Sequence, residues 1–266
     1  MPKLALITGA SSGIGLEIAR CAAKDGYDLL IVSEDGQIED AAGFLRAEGA
    51  TVETATIDLG TEEGVDELWG RLGGRPLDVL VANAGFGMGH RFVDQSWDAV
   101  RATIGTNVTG TVQLLHLALP RMLERGEGRI LVTGSIAGYM PGAFLAVYSA
   151  TKAFVDSLCF AIREEIKDSP VTITCLMPGA TETAFFDKAD NRDSMIGRSP
   201  KDEPSDVARQ GWEAMKRGQS NHVPGLMNKL MVAAAGVLPE ELVAKLSRWQ
   251  QETDEDKARE KARAAS

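Results

Sequence analysis

A tyrosine and a lysine placed four residues apart are the side chains of this sequence best suited to acid–base chemistry. Tyr148 and Lys152 lie in a stretch that favours a helix, and this spacing puts both side chains on one face, about a turn apart. Because an ammonium ion stabilises a phenolate, the pair predicts a lowered pKa for Tyr148 and proton transfer near neutral pH. Ser135 follows the apolar run 129–133 and could hydrogen-bond a substrate oxygen. The Tyr-x-x-x-Lys spacing often arises by chance, so the interpretation depends on the elements around it.

A glycine-rich turn near the start of the chain has the composition of a phosphate site. The apolar run 4–7 precedes it, and an amphipathic helix is predicted over about 13–24. Backbone N–H groups and the dipole at a helix N-terminus attract an anion, and glycines let the backbone approach a pyrophosphate closely. The alternative is an ordinary strand-to-helix turn, which the flanking elements disfavour. The residues of this predicted site are Gly9, Ser11, Ser12, Gly13, Ile14 and Gly15.

Strands that alternate with helices predict an α/β fold with a doubly wound parallel sheet. Further strands are expected over 28–32, 51–57, 77–82, 129–133 and 171–176, with a last edge strand at 221–223. Long helices are expected over 37–48, 96–124 and 143–167. Ligands of such sheets bind beyond the carboxyl ends of the strands. The candidates at those ends are Asp58 with Leu59, the run Asn83-Ala84-Gly85, Ser135, and Pro178 with Gly179.

The middle of the long helix predicted over 96–124 is rich in poor helix formers. Gly105 and Gly110 flank the run Thr106-Asn107, and a mid-helix glycine costs about 1 kcal/mol relative to alanine. We therefore expect a kink or a close backbone approach around Asn107.

The chain is predicted to form one domain over residues 1–266, because no repeat or linker interrupts it. Over about 184–220 apolar residues stand among charges, prolines and glycine, a pattern that fits a mobile cover over a pocket or a surface helical excursion. Residues from about 226 to 266 predict a helical tail.

Composition excludes several classes of function. The net charge of −10 argues against a nucleic-acid partner held through its phosphates. The cysteines lie in apolar surroundings, and the three histidines are far apart, so we expect no metal site. The start of the sequence has no apolar leader, and the late apolar run 230–238 is too short to span a bilayer. We expect a soluble, cytoplasmic protein that does not bind membranes.

Taken in order, these motifs resemble a classical short-chain dehydrogenase/reductase over about residues 4–225. The resemblance implies a Rossmann-type domain that binds NAD or NADP and transfers a hydride between the nicotinamide and a ketone or secondary alcohol. It also implies a homodimer or homotetramer formed through the two long helices. The motifs that carry it are the glycine turn, Asn83-Ala84-Gly85, Asn107, Ser135, Tyr148, Lys152 and Pro178-Gly179.

The same resemblance implies roles for the reacting residues. Tyr148 would be the general acid/base, and Ser135 would hold the substrate oxygen. Lys152 would lower the pKa of Tyr148 and bind the hydroxyls of the nicotinamide ribose. Asn107 would hold a water in a proton relay to Lys152.

Cofactor contacts are implied in the same way. The run Asn83-Ala84-Gly85 would line the adenosine side and steady the central strand, and Asp58 would meet the adenine amino group. Pro178, Gly179 and Thr183 would contact the nicotinamide end.

The sequence departs from the common family pattern in three places. Ala82 stands where an asparagine is frequent, and Gly134 stands where a serine often precedes the catalytic serine. The third departure is the nucleotide selector after the second strand, where Ser33 is followed by two carboxylates and no basic residue. Carboxylates repel a 2′-phosphate but accept a hydrogen bond from a ribose hydroxyl. We therefore predict NAD, with Glu34 as the ribose partner and NADP as the alternative.

The substrate is less well defined by the sequence. An apolar ketone, alcohol or acyl compound would fit a pocket lined by large apolar side chains, although side chains of this kind more often belong to the core. The candidates are Met140, Phe144, Leu145, Phe185 and Met227. Two other functions compete with this one. A catalytically weak NAD(P)-binding sensor or scaffold is disfavoured by the complete set of reacting residues, and an epimerase or dehydratase by the lack of a second domain.

Overall fold

A parallel β-sheet forms the centre of the molecule. The computed structural model describes residues 3–183, 185, 189 and 192–264, and over these residues the sheet has seven strands in the order β3-β2-β1-β4-β5-β6-β7. The strands are β1 (Leu4–Thr8), β2 (Asp28–Ser33), β3 (Val52–Thr56), β4 (Val79–Ala82), β5 (Arg129–Thr133), β6 (Thr172–Leu176) and β7 (Asn221–His222). In register, Leu6 lies beside Leu30 of β2 and Leu80 of β4. The predicted doubly wound fold and its short edge strand are confirmed.

Helices cover both faces of the sheet. In the described part of the chain they are α1 (Gly13–Lys24), α2 (Ile38–Ala47), α3 (Glu62–Leu72), α4 (Trp97–Ile104), α5 (Thr111–Arg125), α6 (Ala146–Glu165), α7 (Met195–Arg198), α8 (Pro204–Lys216), α9 (Leu226–Ala235), α10 (Glu240–Gln251) and α11 (Asp254–Ala264). Strand β1 explains the arrangement, because Leu4 and Leu6 join one core cluster while Ala5 and Ile7 join the other. A strand buried on both faces needs a continuous run of apolar side chains, and β1 has one from Leu4 to Ile7.

The predicted irregularity around Asn107 is a turn of π-helix. The π-helical segment Gly105–Gly110 joins α4 to α5. It passes so close to the loop after β3 that a Cβ on Gly105 would lie 2.6 Å from the Gly60 carbonyl oxygen, and one on Gly110 would lie 2.1 Å from the Leu59 oxygen. Glycines are required there because no side chain fits, and the contact fixes the position of Asn107. Turns of π-helix are frequent at functional sites.

Helix α8 corrects the cover that was predicted over about 184–220. Val207, Ala208 and Met215 are buried in the core cluster that also contains residues of α1 and α2. The Trp212 indole N–H donates to an Asp25 carboxylate oxygen at 2.9 Å, and the Trp212 ring meets Tyr27 edge-on. The apolar residues repeat at helical spacing and therefore pack on the sheet. Part of the predicted segment, including Phe186, lies outside the described residues.

The predicted helical tail consists of three helices, α9 to α11. Side-chain contacts return it to the domain: the Asn228 amide donates to an Asp202 carboxylate oxygen at 3.0 Å, and Asp256 lies 3.3 Å from the Nδ1 atom of His90. No helix in the described part of the chain is both long enough and apolar enough to cross a bilayer.

Candidate active site

A cleft opens at the carboxyl ends of the central strands. From β1 the chain builds the sheet in one direction through β2 and β3, and from β4 it builds in the other. The loops after β1 and β4 therefore separate and leave a crevice, which is where doubly wound sheets bind ligands. The predicted site residues that line the cleft are Gly9, Ser11, Ser12, Gly13, Ile14, Gly15, Glu34, Leu59, Asn83, Ala84, Gly85, Ser135, Tyr148, Lys152, Pro178, Gly179 and Thr183. Of the predicted site residues, Asp58 and Asn107 do not line it.

The glycine turn has the geometry of a pyrophosphate cradle. A Cβ on Gly15 would lie 2.1 Å from the Gly9 carbonyl oxygen, so α1 begins in direct backbone contact with the end of β1. Gly9 has a positive φ of 64°, and a Cβ there would lie 2.9 Å from the Cα of Ala84. The first N–H groups of a helix have no intrahelical acceptor, and Gly13 at the start of α1 lines the cleft. These residues fit a dinucleotide phosphate group.

Asn83 ties three strand ends together. Its side-chain amide donates to the Thr8 and Gly9 carbonyl oxygens at 3.1 and 3.2 Å, and its Oδ1 accepts from the Thr133 hydroxyl at 2.9 Å. The Thr8 hydroxyl oxygen also accepts from the backbone N–H of Asn83 and of Ala84, each at 3.0 Å. The shape of the cleft between the glycine turn and Ser135 therefore depends on these neutral hydrogen bonds.

Polar side chains mark the far end of the cleft. The Ser33 hydroxyl donates to the Ser11 hydroxyl at 3.1 Å, and the Ser11 hydroxyl donates to an Asp35 carboxylate oxygen at 3.3 Å. Glu34 is exposed and lines the cleft beside Asp35. The predicted adenine partner Asp58 is directed elsewhere: its Oδ1 accepts from the backbone N–H of Gly60 at 2.7 Å. That turn is local to the end of β3, which explains why Asp58 is absent from the cleft lining.

Tyr148 and Lys152 lie one turn apart on α6, with the Lys152 ammonium 5.8 Å from the centroid of the tyrosine ring. Lys152 is 5% exposed, and its Nζ donates to the Thr133 carbonyl oxygen at 2.7 Å. Ser135 is also buried, and its Oγ accepts from the backbone N–H of Ala137 at 3.1 Å. The structure thus brings the three predicted reacting side chains together at the inner end of the cleft.

The pKa of Tyr148 differs from the value that its lysine neighbour predicts. Burial raises the pKa of this phenol to about 12, while a hydrogen bond with Ser135 opposes the rise and the negative charge of Asp156 adds to it. Burial also lowers the pKa of Lys152, and Asp156 opposes that change. The prediction of a lowered tyrosine pKa is therefore wrong for this state of the protein: desolvation of the phenolate outweighs the ammonium at 5.8 Å.

Asn107 serves as a clamp. Its amide nitrogen donates to the Phe86 carbonyl oxygen at 2.8 Å and to the Thr151 hydroxyl at 3.0 Å, and its Oδ1 accepts from the Phe86 N–H at 3.0 Å. A Cβ on Gly85 would lie 3.0 Å from this Oδ1 and 3.5 Å from the Lys152 Nζ, so the two side chains converge. Both amide hydrogens have protein acceptors, and Asn107 is buried behind the cleft surface.

Only some of the apolar residues predicted for the substrate pocket line the cleft. Met140, Leu145 and Phe185 line it as predicted, whereas Phe144 is buried and Met227 is exposed, and neither belongs to the lining. Sequence reasoning missed a second group, contributed by α7, α9 and α10. Its members are Ile196, Met231, Ser247, Gln250 and Gln251. Only the folding of the tail onto the domain brings them here, and no local pattern marks them.

Metal chemistry has no candidate site among the residues described: no group of three or more His, Cys, Asp or Glu side chains is arranged to hold an ion.

Comparisons with known proteins identify the family of this chain. The family model for short chain dehydrogenases matches residues 3–194. Human 17-beta-hydroxysteroid dehydrogenase type 1 is 35% identical over 190 residues, which are 69% of this chain and 58% of that protein.

Two solved structures share the whole architecture. A short-chain dehydrogenase from Sphingobium yanoikuyae, solved with NADPH, has a TM-score of 0.79 and 29% identity, and the match covers 89% of this chain and 95% of that one. A short-chain dehydrogenase/reductase from Burkholderia phymatum, solved with NAD, has a TM-score of 0.78 and 25% identity, with 87% and 92% covered. With its glycine turn, Asn83 network and Tyr148–Lys152 pair on that fold, the chain belongs to the short-chain dehydrogenase/reductase family, whose members are oxidoreductases that use a nicotinamide cofactor.

Proposed function

We propose that this protein interconverts a secondary alcohol and a ketone, with NAD as cofactor and Tyr148 as general acid/base. One observation carries the proposal: Ser135, Tyr148 and Lys152 line the same cleft as the glycine turn at the start of α1. A site that holds a dinucleotide phosphate at one end therefore presents a proton donor at the other.

The reacting residues divide the work by their chemistry. A bound nicotinamide supplies or accepts the hydride. The Ser135 hydroxyl and the Tyr148 phenol together orient the substrate oxygen, and Tyr148 donates its proton to that oxygen during reduction. The raised pKa keeps Tyr148 protonated at neutral pH, which suits it to this direction. Lys152 holds its ammonium beside the phenol through the Thr133 carbonyl and binds ribose hydroxyls.

Asn107 supports the same site from behind the cleft surface. Its clamp on Phe86 and Thr151 fixes the distance between the end of β4 and α6. We propose that Asn107 also holds a water in a proton relay to Lys152, because its Oδ1 and the Lys152 Nζ converge on Gly85.

NAD is the better match to the far end of the cleft. Glu34 and Asp35 both line it, and two carboxylates repel the 2′-phosphate that distinguishes NADP. Similar proteins have been solved with NADPH and with NAD, so the fold itself permits both. In our proposal Glu34 accepts a hydrogen bond from a ribose hydroxyl, and Asp35 orients Ser11.

A largely apolar ketone with a polar group at its far end fits the substrate side. Met140, Leu145 and Phe185 supply the apolar wall, and Gln250 supplies the amide. The similarity to a hydroxysteroid dehydrogenase points to the same broad class of compound. A homodimer or homotetramer is also proposed, because Phe154 and Phe160 of α6 are 47% and 37% exposed. A cytoplasmic location stays a prediction.

The proposal is tested by comparing cofactor binding with turnover. Fluorescence titration with NADH and NADPH gives the dissociation constants, and oxidation of NADH is followed with acetophenone, 2-octanone and ethyl acetoacetate. We expect Tyr148→Phe to lower kcat by about 10²–10⁴-fold, the usual contribution of a general acid, and to leave NADH binding nearly unchanged. Tyr27→Phe is the matched control, since its ring packs against Trp212 behind the sheet. Full turnover by Tyr148→Phe would refute the mechanism.

The cofactor assignment has its own variant. Glu34→Arg should strengthen NADPH binding and weaken NADH binding, whereas Glu34→Gln should change NADH binding only slightly. Tighter binding of NADPH than NADH by the unaltered protein would refute the assignment to NAD. Tight binding of NADH without turnover of any ketone would support a sensor instead of an enzyme.

A further inference from the structure

Asp156 is a buried carboxylate to which the proposed mechanism gives no task. It lies on α6, one turn after Lys152 and two turns after Tyr148, and it is 4% exposed. Its Oδ1 accepts from the Cys175 thiol at 3.3 Å, whereas its Oδ2 is buried without a hydrogen-bond partner among the described residues. Burying a carboxylate that is poorly hydrogen-bonded is unfavourable, so a packing role alone would be better served by an apolar residue.

The carboxylate fills the space under the turn that carries Ser135. A Cβ on Gly134 would lie 1.8 Å from the Asp156 Oδ1, and one on Gly138 would lie 2.4 Å from its Oδ2. Asp156 makes the shortest of these contacts, and the Cys175 Sγ at 2.8 Å from the first Cβ and the Ala153 backbone nitrogen at 2.8 Å from the second add to them. This explains why Gly134 stands where relatives often have a serine: the carboxylate occupies the volume that a side chain would need.

The groups around Asp156 come from three elements. Lys152, Tyr148 and Cys159 share α6, Tyr139 closes the 3₁₀ turn Ile136–Tyr139, and Cys175 lies on β6. The ammonium of Lys152 is the positive charge among them. The negative charge of Asp156 raises the pKa values of Tyr148 and Tyr139 and favours the protonated form of Lys152.

We propose that Asp156 is a positioning residue of the reaction, whose ionised carboxylate keeps Lys152 protonated and holds the turn 134–138, and with it Ser135, against Tyr148. The inference rests on the roles given to Tyr148 and Lys152 under the proposed function. It adds an electrostatic partner beneath the reacting pair, on the side away from the cofactor cleft.

A pH dependence follows from the position of this carboxylate. Burial raises the pKa of Asp156 to about 6, while the Cys175 thiol, Lys152 and the Ser135 backbone oppose the rise. The carboxylate is therefore charged above about pH 6 and becomes neutral below it, so kcat should fall as the pH drops through about 6. Without the negative charge of Asp156, Lys152 would lose its proton at a lower pH. The alkaline limb of the pH profile should therefore shift to lower pH.

The test compares Asp156→Asn with Asp168→Asn, which makes the same chemical change at an exposed position just beyond α6. The pH profiles of kcat and KM are measured between pH 5 and 10 with NADH and acetophenone. We expect Asp156→Asn to lose the acidic limb near pH 6 and to shift its alkaline limb to lower pH, with Asp168→Asn unchanged. A uniform loss of kcat at every pH with both limbs in place would overturn the proposal, because a purely structural role gives that result.

Two further measurements test the proposal if Asp156→Asn does not fold. Cys175→Ala leaves the charge and removes the thiol donor, so it should move the acidic limb to higher pH. Gly134→Ser should destabilise the protein less when Asp156 is replaced by glycine, because that change removes the overlap with Oδ1 at 1.8 Å and leaves only the one with the Cys175 Sγ at 2.8 Å. An unshifted limb in the first, or equal destabilisation in both backgrounds of the second, would contradict the inference.

The ionisation of Asp156 can also be measured without any enzymatic activity. Carboxyl carbons of aspartate labelled with ¹³C are titrated by NMR in the free protein, and Asp156→Asn assigns the signal. A carboxyl that loses its proton near pH 6 and is ionised at neutral pH supports the buried counter-charge even if no ketone is reduced, whereas a carboxyl that stays protonated up to pH 8 overturns it. Activity retained by Tyr148→Phe refutes the mechanism and leaves this titration unaffected.

Discussion

Single residues at the inner end of the cleft owe their acid–base character mainly to burial. Burial favours the neutral form of both Tyr148 and Lys152: it raises the pKa of the phenol to about 12 and lowers the pKa of the ammonium group. The neutral phenol is the form that donates a proton to a carbonyl oxygen, whereas the phenolate is the form that accepts one from an alcohol. The two directions of the reaction therefore need opposite protonation states of one residue.

This requirement predicts opposite pH responses for reduction and oxidation. Because the pKa of Tyr148 lies near 12, its ionised fraction grows about tenfold for each pH unit between 7 and 10. The kcat/KM for oxidation of a secondary alcohol with NAD should rise steeply over that range, and ketone reduction should show no such rise. Initial rates in both directions, measured at constant ionic strength, check this.

The contrary outcome is equally clear. An oxidation rate that is independent of pH between 7 and 10 would mean that Tyr148 is already ionised at neutral pH. The lysine would then outweigh burial, as the sequence alone predicts.

The reacting residues could be predicted from the sequence because each follows a strand end or shares a helix face. Ser135, Tyr148 and Lys152 are found together as expected, since the i,i+4 spacing and the end of β5 determine their positions. The pKa of Tyr148 could not be predicted in the same way. Its direction depends on desolvation and on Asp156, and a sequence does not display burial.

At the scale of secondary-structure elements, the strand–turn–helix unit at the start of the chain is held by backbone contact. Gly15, in the first turn of α1, packs against Gly9 and the Asn83 amide, so the helix N-terminus and the end of β1 form one rigid cradle. Alanine normally favours a helix by about 1 kcal/mol over glycine. At this position that preference is opposed by steric overlap.

Gly15→Ala should therefore destabilise the protein, although it adds a better helix former. Its Cβ would lie 2.1 Å from the Gly9 oxygen and 2.6 Å from the Asn83 amide nitrogen, and overpacking of this kind costs about 1–3 kcal/mol. NADH binding should weaken at least about tenfold, because the displaced helix end loses its anion site. Urea unfolding and fluorescence titration measure both effects.

Gly43→Ala is the matched control for this variant. Gly43 lies in α2 with open space where its Cβ would be, so the substitution should stabilise the protein by up to about 1 kcal/mol. NADH binding should stay the same. If Gly15→Ala behaves like Gly43→Ala, the close approach of α1 to β1 does not constrain the site.

Elements differ in how well their sequence reveals them. The parallel strands were predictable because apolar runs end at turn residues, and the break within the helix at 96–124 was predictable from its glycines. Helix α8 was misread as part of a cover, because Pro204 and its charged residues resemble a loop until the burial of Val207, Trp212 and Met215 is known. Its packing on α1 is a tertiary contact, which local sequence patterns do not predict.

For the molecule as a whole, the tail completes the substrate side of the cleft. Ser247 and Gln250 of α10 line the cleft, and the Arg248 guanidinium lies 5.7 Å from the centroid of the Phe144 ring. Helix α11 then fastens the tail, because the buried Asp256 carboxylate lies 3.3 Å from His90 Nδ1 and accepts from the Thr253 hydroxyl at 2.7 Å.

The segment after β4 connects this fastening to the reacting residues. His90 ends a loop that runs from Phe86 past Tyr148. At Gly87 a Cβ would lie 2.9 Å from the Tyr148 ring, so the loop and the ring are in contact. The tail therefore touches both the wall of the substrate cleft and the loop that covers the proton donor.

Two truncations should separate the fastening from the rest of the tail. Deletion of residues 252–266 removes the Asp256 contact with His90 and leaves α10 in the chain, whereas deletion of 260–266 keeps that contact. We expect the longer deletion to raise the KM for acetophenone and to leave the dissociation constant of NADH nearly unchanged. The glycine turn and the Asn83 network belong to elements N-terminal to residue 134, which the deletion leaves in place. The shorter deletion should behave as the full chain does. Steady-state kinetics and NADH titration of the full chain and the two deletions measure these effects. Equal KM values in all three would show that α10 holds its place over the cleft without α11. A loss of NADH binding in the longer deletion would place the tail in the architecture of the whole domain instead of its substrate side alone.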